Sequence, residues 1–152
     1  MEIDDFKRHA PAAYAALSAL TRAASQSGLE PALLELVKVR ASQMNGCAYC
    51  LHFHLALARR HGVPQDQLDL LAGWREAPLF TERERAALTW AEALTRLTQG
   101  EVPEEARAAA AARFNDVELA NLSAAIGLIN AWNRISVGFR FVPVVASAPV
   151  RT

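Results

Sequence analysis

The chain is short of several features, and each shortage removes a class of function. Only two of its 152 residues are cysteines, too few for the disulfide framework that staples small secreted domains. No stretch approaches the roughly 18 uninterrupted apolar residues of a membrane span. The first residues, Met1-Glu2-Ile3-Asp4-Asp5, are acidic and lack an apolar h-region, so they do not read as a secretory signal. The expected compartment is the cytoplasm. Surplus charge is also missing: 16 basic and 16 acidic residues cancel, leaving no basic excess to displace counterions from nucleic acid. Alternating strands, repeats and low-complexity linkers are absent. Val142 to Val145 is too short for a strand and is interrupted by Pro143, and the tail from Pro143 to Thr152 reads as extended.

What is present is apolar helix. Hydrophobic residues make up 52 % of the chain, enough for a core in one domain spanning residues 1–152. High apolar content with near-zero net charge also favours self-association. The punctuation predicts helix after helix. Pro11 opens a helix carrying Tyr14, Leu17 and Leu20 and ending at Gly28. Pro31 opens a second, running to Asn45-Gly46, and the cysteine segment begins a third that ends near His61-Gly62. A short helix follows from Pro64 to Leu71, then a break at Gly73 to Pro78. Thr81 with Glu84, and Asn115 with Glu118, have the form of capping boxes. The first starts a helix stopping near Gly100, Pro103 opens another, and the second leads a helix from about Asp116 to Val137. The predicted fold is an all-α, single-domain helical bundle of about six to seven helices.

The last helix is apolar on nearly every side. Leu119, Leu122, Ile126, Leu128, Ile129, Trp132 and Ile135 cannot all face one small core. It is either central or shared with a second subunit, while Asn121, Asn130, Asn133 and Arg134 argue against lipid.

The chemistry concentrates in Gly46-Cys47-Ala48-Tyr49-Cys50-Leu51-His52-Phe53-His54. On a helix, Cys47, Cys50 and His54 share a face, at spacings of three and four residues. Cys47 sits at the first turn, where unsatisfied N–H groups and the helix dipole favour a thiolate. His54, one turn beyond Cys50, is placed to exchange a proton with that thiol. Upstream, Glu35 lies among Leu33, Leu34, Leu36, Val37 and Val39. It is read either as a carboxylate with a pKa raised by desolvation, usable as a base near His54, or as a surface partner of Lys38 or Arg40. A zinc site from Cys47, Cys50 and His54 with Glu35 or another histidine lacks the second cluster that structural zinc usually takes. Two inert buried cysteines fit the C-x-x-C spacing poorly. Haem attachment fails because Leu51, not histidine, follows Cys50. His52 points away from the cysteine face and reads as structural, and His9 and His61 read as surface residues.

Glu35, eleven residues, then Cys47-x-x-Cys50-x-x-x-His54 resembles the signature of the alkyl hydroperoxidase D-like proteins of the carboxymuconolactone decarboxylase superfamily. The flanking Arg40-Ala41-Ser42-Gln43-Met44-Asn45-Gly46, Trp74-Arg75-Glu76-Ala77-Pro78, Glu82 to Leu88, and Asn130-Ala131-Trp132-Asn133-Arg134 continue the likeness over most of the chain. The resemblance implies an all-α homo-oligomer, commonly a trimer or hexamer, that reduces hydroperoxides with thiols. It implies Cys50 as the attacking cysteine, Cys47 as the partner that closes the disulfide, and Glu35 with His54 as the proton relay. The dipole argument points instead to Cys47 as the more acidic thiol. One departure is Tyr49, which stands where the type enzyme has a second histidine; a phenol, with a pKa of about 10, is a poor acid–base group at neutral pH. With no flavin or haem motif and no bound cofactor expected, electrons come from an external dithiol or a thioredoxin- or lipoamide-type reductant. The alternatives are a reductase of protein or lipoamide disulfides, a decarboxylase that would not need the cysteines, and a zinc-binding protein without enzymatic activity.

Overall fold

The structure is a computed structural model and describes residues 1–143. The tail reading for residues 144–152 therefore lies outside the described residues. Eight α-helices and no strands are present among the described residues: α1 Ile3–His9, α2 Pro11–Ser25, α3 Pro31–Met44, α4 Ala48–Arg60, α5 Gln65–Leu70, α6 Glu82–Thr95, α7 Glu104–Ala111 and α8 Asp116–Gly138. No helix among them is long and apolar enough to cross a membrane.

Seven of the eight follow the punctuation. Pro11 and Pro31 open α2 and α3, where a missing N–H costs nothing. Both capping boxes form. Thr81 Oγ1 accepts from the Glu84 amide at 3.2 Å while the Glu84 carboxylate accepts from the Thr81 amide at 2.8 Å. Asn115 and Glu118 repeat the exchange at 2.9 Å each way. The helix that the pattern misses is α1. It buries only Phe6, so it shows no apolar period. Local charge holds it instead: the Asp5 carboxylate accepts from the Glu2 amide at 2.9 Å, Lys7 pairs with Asp4 at 2.8 Å, and Arg8 pairs with Asp5.

The central helix is α3, not α8. Every residue from Leu33 to Val39 is buried. Leu33, Leu34 and Val37 enter one apolar cluster with α6, α7 and α8, while Leu36 and Val39 enter another with Ala58, Leu68, Leu71, Trp74 and Phe80. Ala41 closes a third with Cys47, Cys50 and Ile129. Within the chain, α8 buries one face, through Leu122, Ala125, Ile126, Leu128, Ile129, Asn130, Asn133 and Ser136. Leu119, Trp132 and Ile135 are half-buried, and Val117 and Val137 are exposed.

A second buried charge centre ties α3 to α6. Glu92 is 1 % exposed. Its Oε1 accepts from Arg40 Nε at 2.7 Å and Trp74 Nε1 at 2.9 Å, and its Oε2 from Arg75 Nη1 at 2.7 Å. Arg40 is thus bound to Glu92 rather than Glu35. Burial pushes the Glu92 carboxyl up, but the hydrogen bonds from Trp74, Arg75 and Arg40 outweigh it and hold it below the ordinary 4.5. A carboxyl depressed by folding stabilises the fold above its unfolded value and loses that contribution as pH falls through its folded one. Glu92→Ala leaves the largely buried Arg40 unpaired and is expected to cost about 3–5 kcal/mol in urea unfolding at neutral pH. The same variant is expected to flatten the loss of stability below pH 4.5; a variant as stable as the parent at neutral pH would remove Glu92 as the tie.

Candidate active site

The turn between α3 and α4 delivers both cysteines. Gly46 has φ +64°, a left-handed conformation that favours glycine. The Gly46 amide donates to the Gln43 carbonyl at 3.2 Å and the Cys47 amide to the Ser42 carbonyl at 3.0 Å. This double closure is a Schellman motif, which satisfies the last carbonyls of α3 and stops it sharply. The next residue starts the following helix at once. Cys47 has extended backbone and caps α4, its Sγ accepting from the Cys50 amide at 3.2 Å. Cys47 therefore stands just before the helix rather than in its first turn. Cys47 and Cys50 are joined as a disulfide, and both are buried.

Asparagines on α8 hold this turn from behind. Asn45 Nδ2 donates to Asn130 Oδ1 at 3.0 Å and to Asn133 Oδ1 at 2.8 Å. Asn133 Nδ2 donates to Ser42 Oγ at 3.0 Å, and Asn130 Nδ2 to Thr95 Oγ1 at 3.0 Å. Sequence reasoning treats Asn130 and Asn133 as a sign against lipid and as part of the family likeness, and assigns them no partner. Their signal is two amides three residues apart on an otherwise apolar helix, which need buried partners.

Glu35 lies opposite, 4 % exposed. One carboxylate oxygen takes Lys38 Nζ at 2.7 Å and the other faces His54 Nδ1 at 2.7 Å. Both expected partners other than Arg40 are present, but the pair with Lys38 is buried rather than at the surface. Nor is the carboxyl raised. Desolvation pushes it up, yet the hydrogen bond and charge of His54, together with Lys38, outweigh burial and hold it below the ordinary range. An ionised carboxylate only accepts, so His54 Nδ1 donates to it, leaving Nε2 for other partners. His54 is half-buried, whereas His9, His52 and His61 are exposed. His52 thus faces away as expected but is not a core group.

A cavity of about 360 Å³ opens beside this pair. Cys50, His54, Tyr49 and Phe53 of α4 line it with Lys38 of α3. Ile3 and Lys7 of α1 and Tyr14 of α2 form one side wall, and Ile129, Trp132 and Ser136 of α8 another. Cys47 is not part of the lining. Tyr49 is half-buried, and burial pushes its phenol up, so at neutral pH it offers only a hydroxyl hydrogen bond. The lining is mostly apolar, and it includes the Cys50 side chain, the His54 imidazole and the Lys38 ammonium. Among the described residues no three His, Cys, Asp or Glu side chains are grouped to hold a metal ion. This arrangement can exchange thiols and disulfides and move a proton beside Cys50.

The family model described as "Carboxymuconolactone decarboxylase family" matches residues 10–93. A protein of unknown function from Agrobacterium tumefaciens, provisionally assigned as the antioxidant defence protein AhpD, has a crystal structure 40 % identical to this chain. That likeness covers 93 % of this chain and 97 % of the other, with a TM-score of 0.89. An uncharacterised peroxidase-related protein from Silicibacter sp. TM1040 is 26 % identical over 84 % of this chain and 68 % of its own, with a TM-score of 0.73. The uncharacterised protein YdfG of Bacillus subtilis is 35 % identical over 112 residues, 74 % of this chain and 76 % of that protein. With the Glu35, Cys47, Cys50 and His54 constellation inside the matched segment, the chain belongs to the carboxymuconolactone decarboxylase family and has the AhpD-like fold.

Proposed function

We propose that the protein is a thiol-dependent peroxidase that reduces organic hydroperoxides. One observation carries the reading: a closed Cys47–Cys50 pair whose Cys50 alone lines an apolar cavity, beside a histidine held by a buried carboxylate. The cavity supports Cys50 as the thiol that reacts first. Cys47 gains more from the helix end, but only Cys50 faces a space that a substrate can enter.

In the proposed cycle, the Cys50 thiol gives its proton to His54, which Glu35 orients. The thiolate attacks the distal oxygen of the hydroperoxide. A sulfur–oxygen bond forms, the oxygen–oxygen bond breaks, and the alkoxide leaves as the alcohol after taking a proton from His54. Cys50 is now a sulfenic acid. The Cys47 thiol attacks its sulfur, the disulfide forms and water leaves. An external dithiol, of thioredoxin or lipoamide type, then supplies two electrons and two protons by exchange and restores both thiols. A reducing cytoplasm suits a pair that must be reopened after each turnover.

Mass and free-thiol count of the reduced protein, before and after one equivalent of an organic hydroperoxide, test the cycle. The expected result is rapid loss of both thiols and of two hydrogens. Thiols that ignore hydroperoxide but open added disulfides would transfer the same residues to a disulfide reductase. Cys50→Ser is expected to lower peroxide turnover on the order of a thousandfold or more; full turnover by that variant would end the scheme. Glu35→Gln is expected to slow the peroxide step about a hundredfold, the low end of what a positioned acid–base pair supplies, with the helical circular dichroism retained. An unchanged rate would take Glu35 out of the relay.

A further inference from the structure

Lys38 has no part in the cycle above, yet the fold keeps its ammonium inside. The residue is 7 % exposed on a helix whose neighbours are leucine and valine. Lysine is almost never buried without a partner, because removing an ammonium from water is costly. An apolar side chain would fill this place at no such cost. Lys38 also lines the cavity that contains Cys50 and His54, and it holds one Glu35 oxygen while His54 holds the other.

The balance of charge explains what an ammonium does there. Glu35 is anionic and buried, and a buried anion makes any nearby proton harder to release. A Cys50 thiol beside an imidazolium must release one proton before the thiolate–imidazolium state that the cycle uses can form. Lys38 cancels the Glu35 charge on its far oxygen, so the Cys50–His54 pair lies beside a net-neutral couple. The remaining polar groups of the cavity do not replace it. From α1, Lys7 is tied to Asp4 at 2.8 Å and lies over the Tyr14 ring. From α2 and α4 come the phenols of Tyr14 and Tyr49, and α8 presents Leu128, Ile129, Trp132 and Ser136, none of them charged at neutral pH.

We propose that Lys38 is a positioning residue of the active site, whose ammonium offsets the Glu35 carboxylate so that the Cys50 thiolate forms beside His54 more readily than it would beside an uncompensated carboxylate. The inference rests on the reading of Cys50 and His54 as the working pair, but not on hydroperoxide being the substrate.

The test therefore uses no peroxide. The fully reduced protein is alkylated with iodoacetamide across about pH 5 to 9, the range of histidine and thiol titration, and Cys50 is followed by peptide mass spectrometry. Removing a positive charge makes every proton of a coupled site harder to lose. Lys38→Met is expected to move the Cys50 profile about one pH unit alkaline, which is about a tenfold slower reaction on its acid side. Lys38→Arg, which keeps the charge, is expected to return most of the shift, and Lys38→Gln to behave as the methionine variant where methionine does not fold. A Lys38→Met profile that overlays the parent, or an equal shift in the arginine variant, would overturn the proposal and leave Lys38 a packing residue. A parent protein that shows this profile yet ignores hydroperoxides would refute the peroxidase reading and leave the role of Lys38 standing.

Discussion

The helix α3 has no solvent face, and this constraint organises the molecule. A helix enclosed by apolar clusters on several sides must find an internal partner for every charge it carries. It carries three in one and a half turns: Glu35, Lys38 and Arg40. Glu35 and Lys38 answer each other and leave one carboxylate oxygen for His54 on α4. Arg40, on another side, finds Glu92 on α6, which in turn holds the indole of Trp74. The charges that appear wasteful in a buried helix are the bonds by which α3 fixes its two neighbours.

The same economy governs the turn that follows. The glycine-closed end of α3 and the sulfur-capped start of α4 share residues, so one short segment satisfies the orphan carbonyls of one helix and an orphan amide of the next. Little slack remains for the cysteines to move along the chain. The asparagines of α8 fix the turn from the other direction, through Asn45 rather than through either cysteine. The hold from α8 thus reaches the turn through side chains other than the cysteines.

Much of this was legible in the sequence because it is local. Prolines, the two capping boxes and the C-x-x-C spacing act over a few residues, and helices placed on them sit where expected. The resemblance singles out Glu35, Cys47, Cys50 and His54, and the fold brings them together in two contacts, Glu35 with His54 and Cys47 with Cys50. What was not legible depends on distance. Arg40 and Glu92 lie 52 residues apart, and no spacing rule pairs them. Glu35 invites a raised pKa when only its apolar neighbours are visible; His54, 19 residues on, and the ammonium of Lys38 reverse the sign. The apolar α8 invites the central position, yet α3, with as many charges in fewer residues and a weaker apolar signal, is the helix surrounded on all sides. The short α1 gave no period to read because charge pairs rather than burial hold it.

The cavity is assembled from two kinds of sequence. Glu35, Lys38, Cys47, Cys50 and His54 all fall within residues 10–93, the segment that the family model recognises. Ile3 and Lys7 precede that segment, and Leu128, Ile129, Trp132 and Ser136 follow it, yet they form facing parts of the wall. The Glu35, Cys47, Cys50 and His54 group and two parts of the wall beside it are therefore encoded in separate stretches of the chain. Exchanging Ile3, Lys7, Leu128, Ile129, Trp132 and Ser136 between relatives, with Asn130 and Asn133 kept to hold the turn, would change what fits beside Cys50 while leaving Glu35, Cys47 and His54 where they are, so one module can be reissued with new molecular tastes.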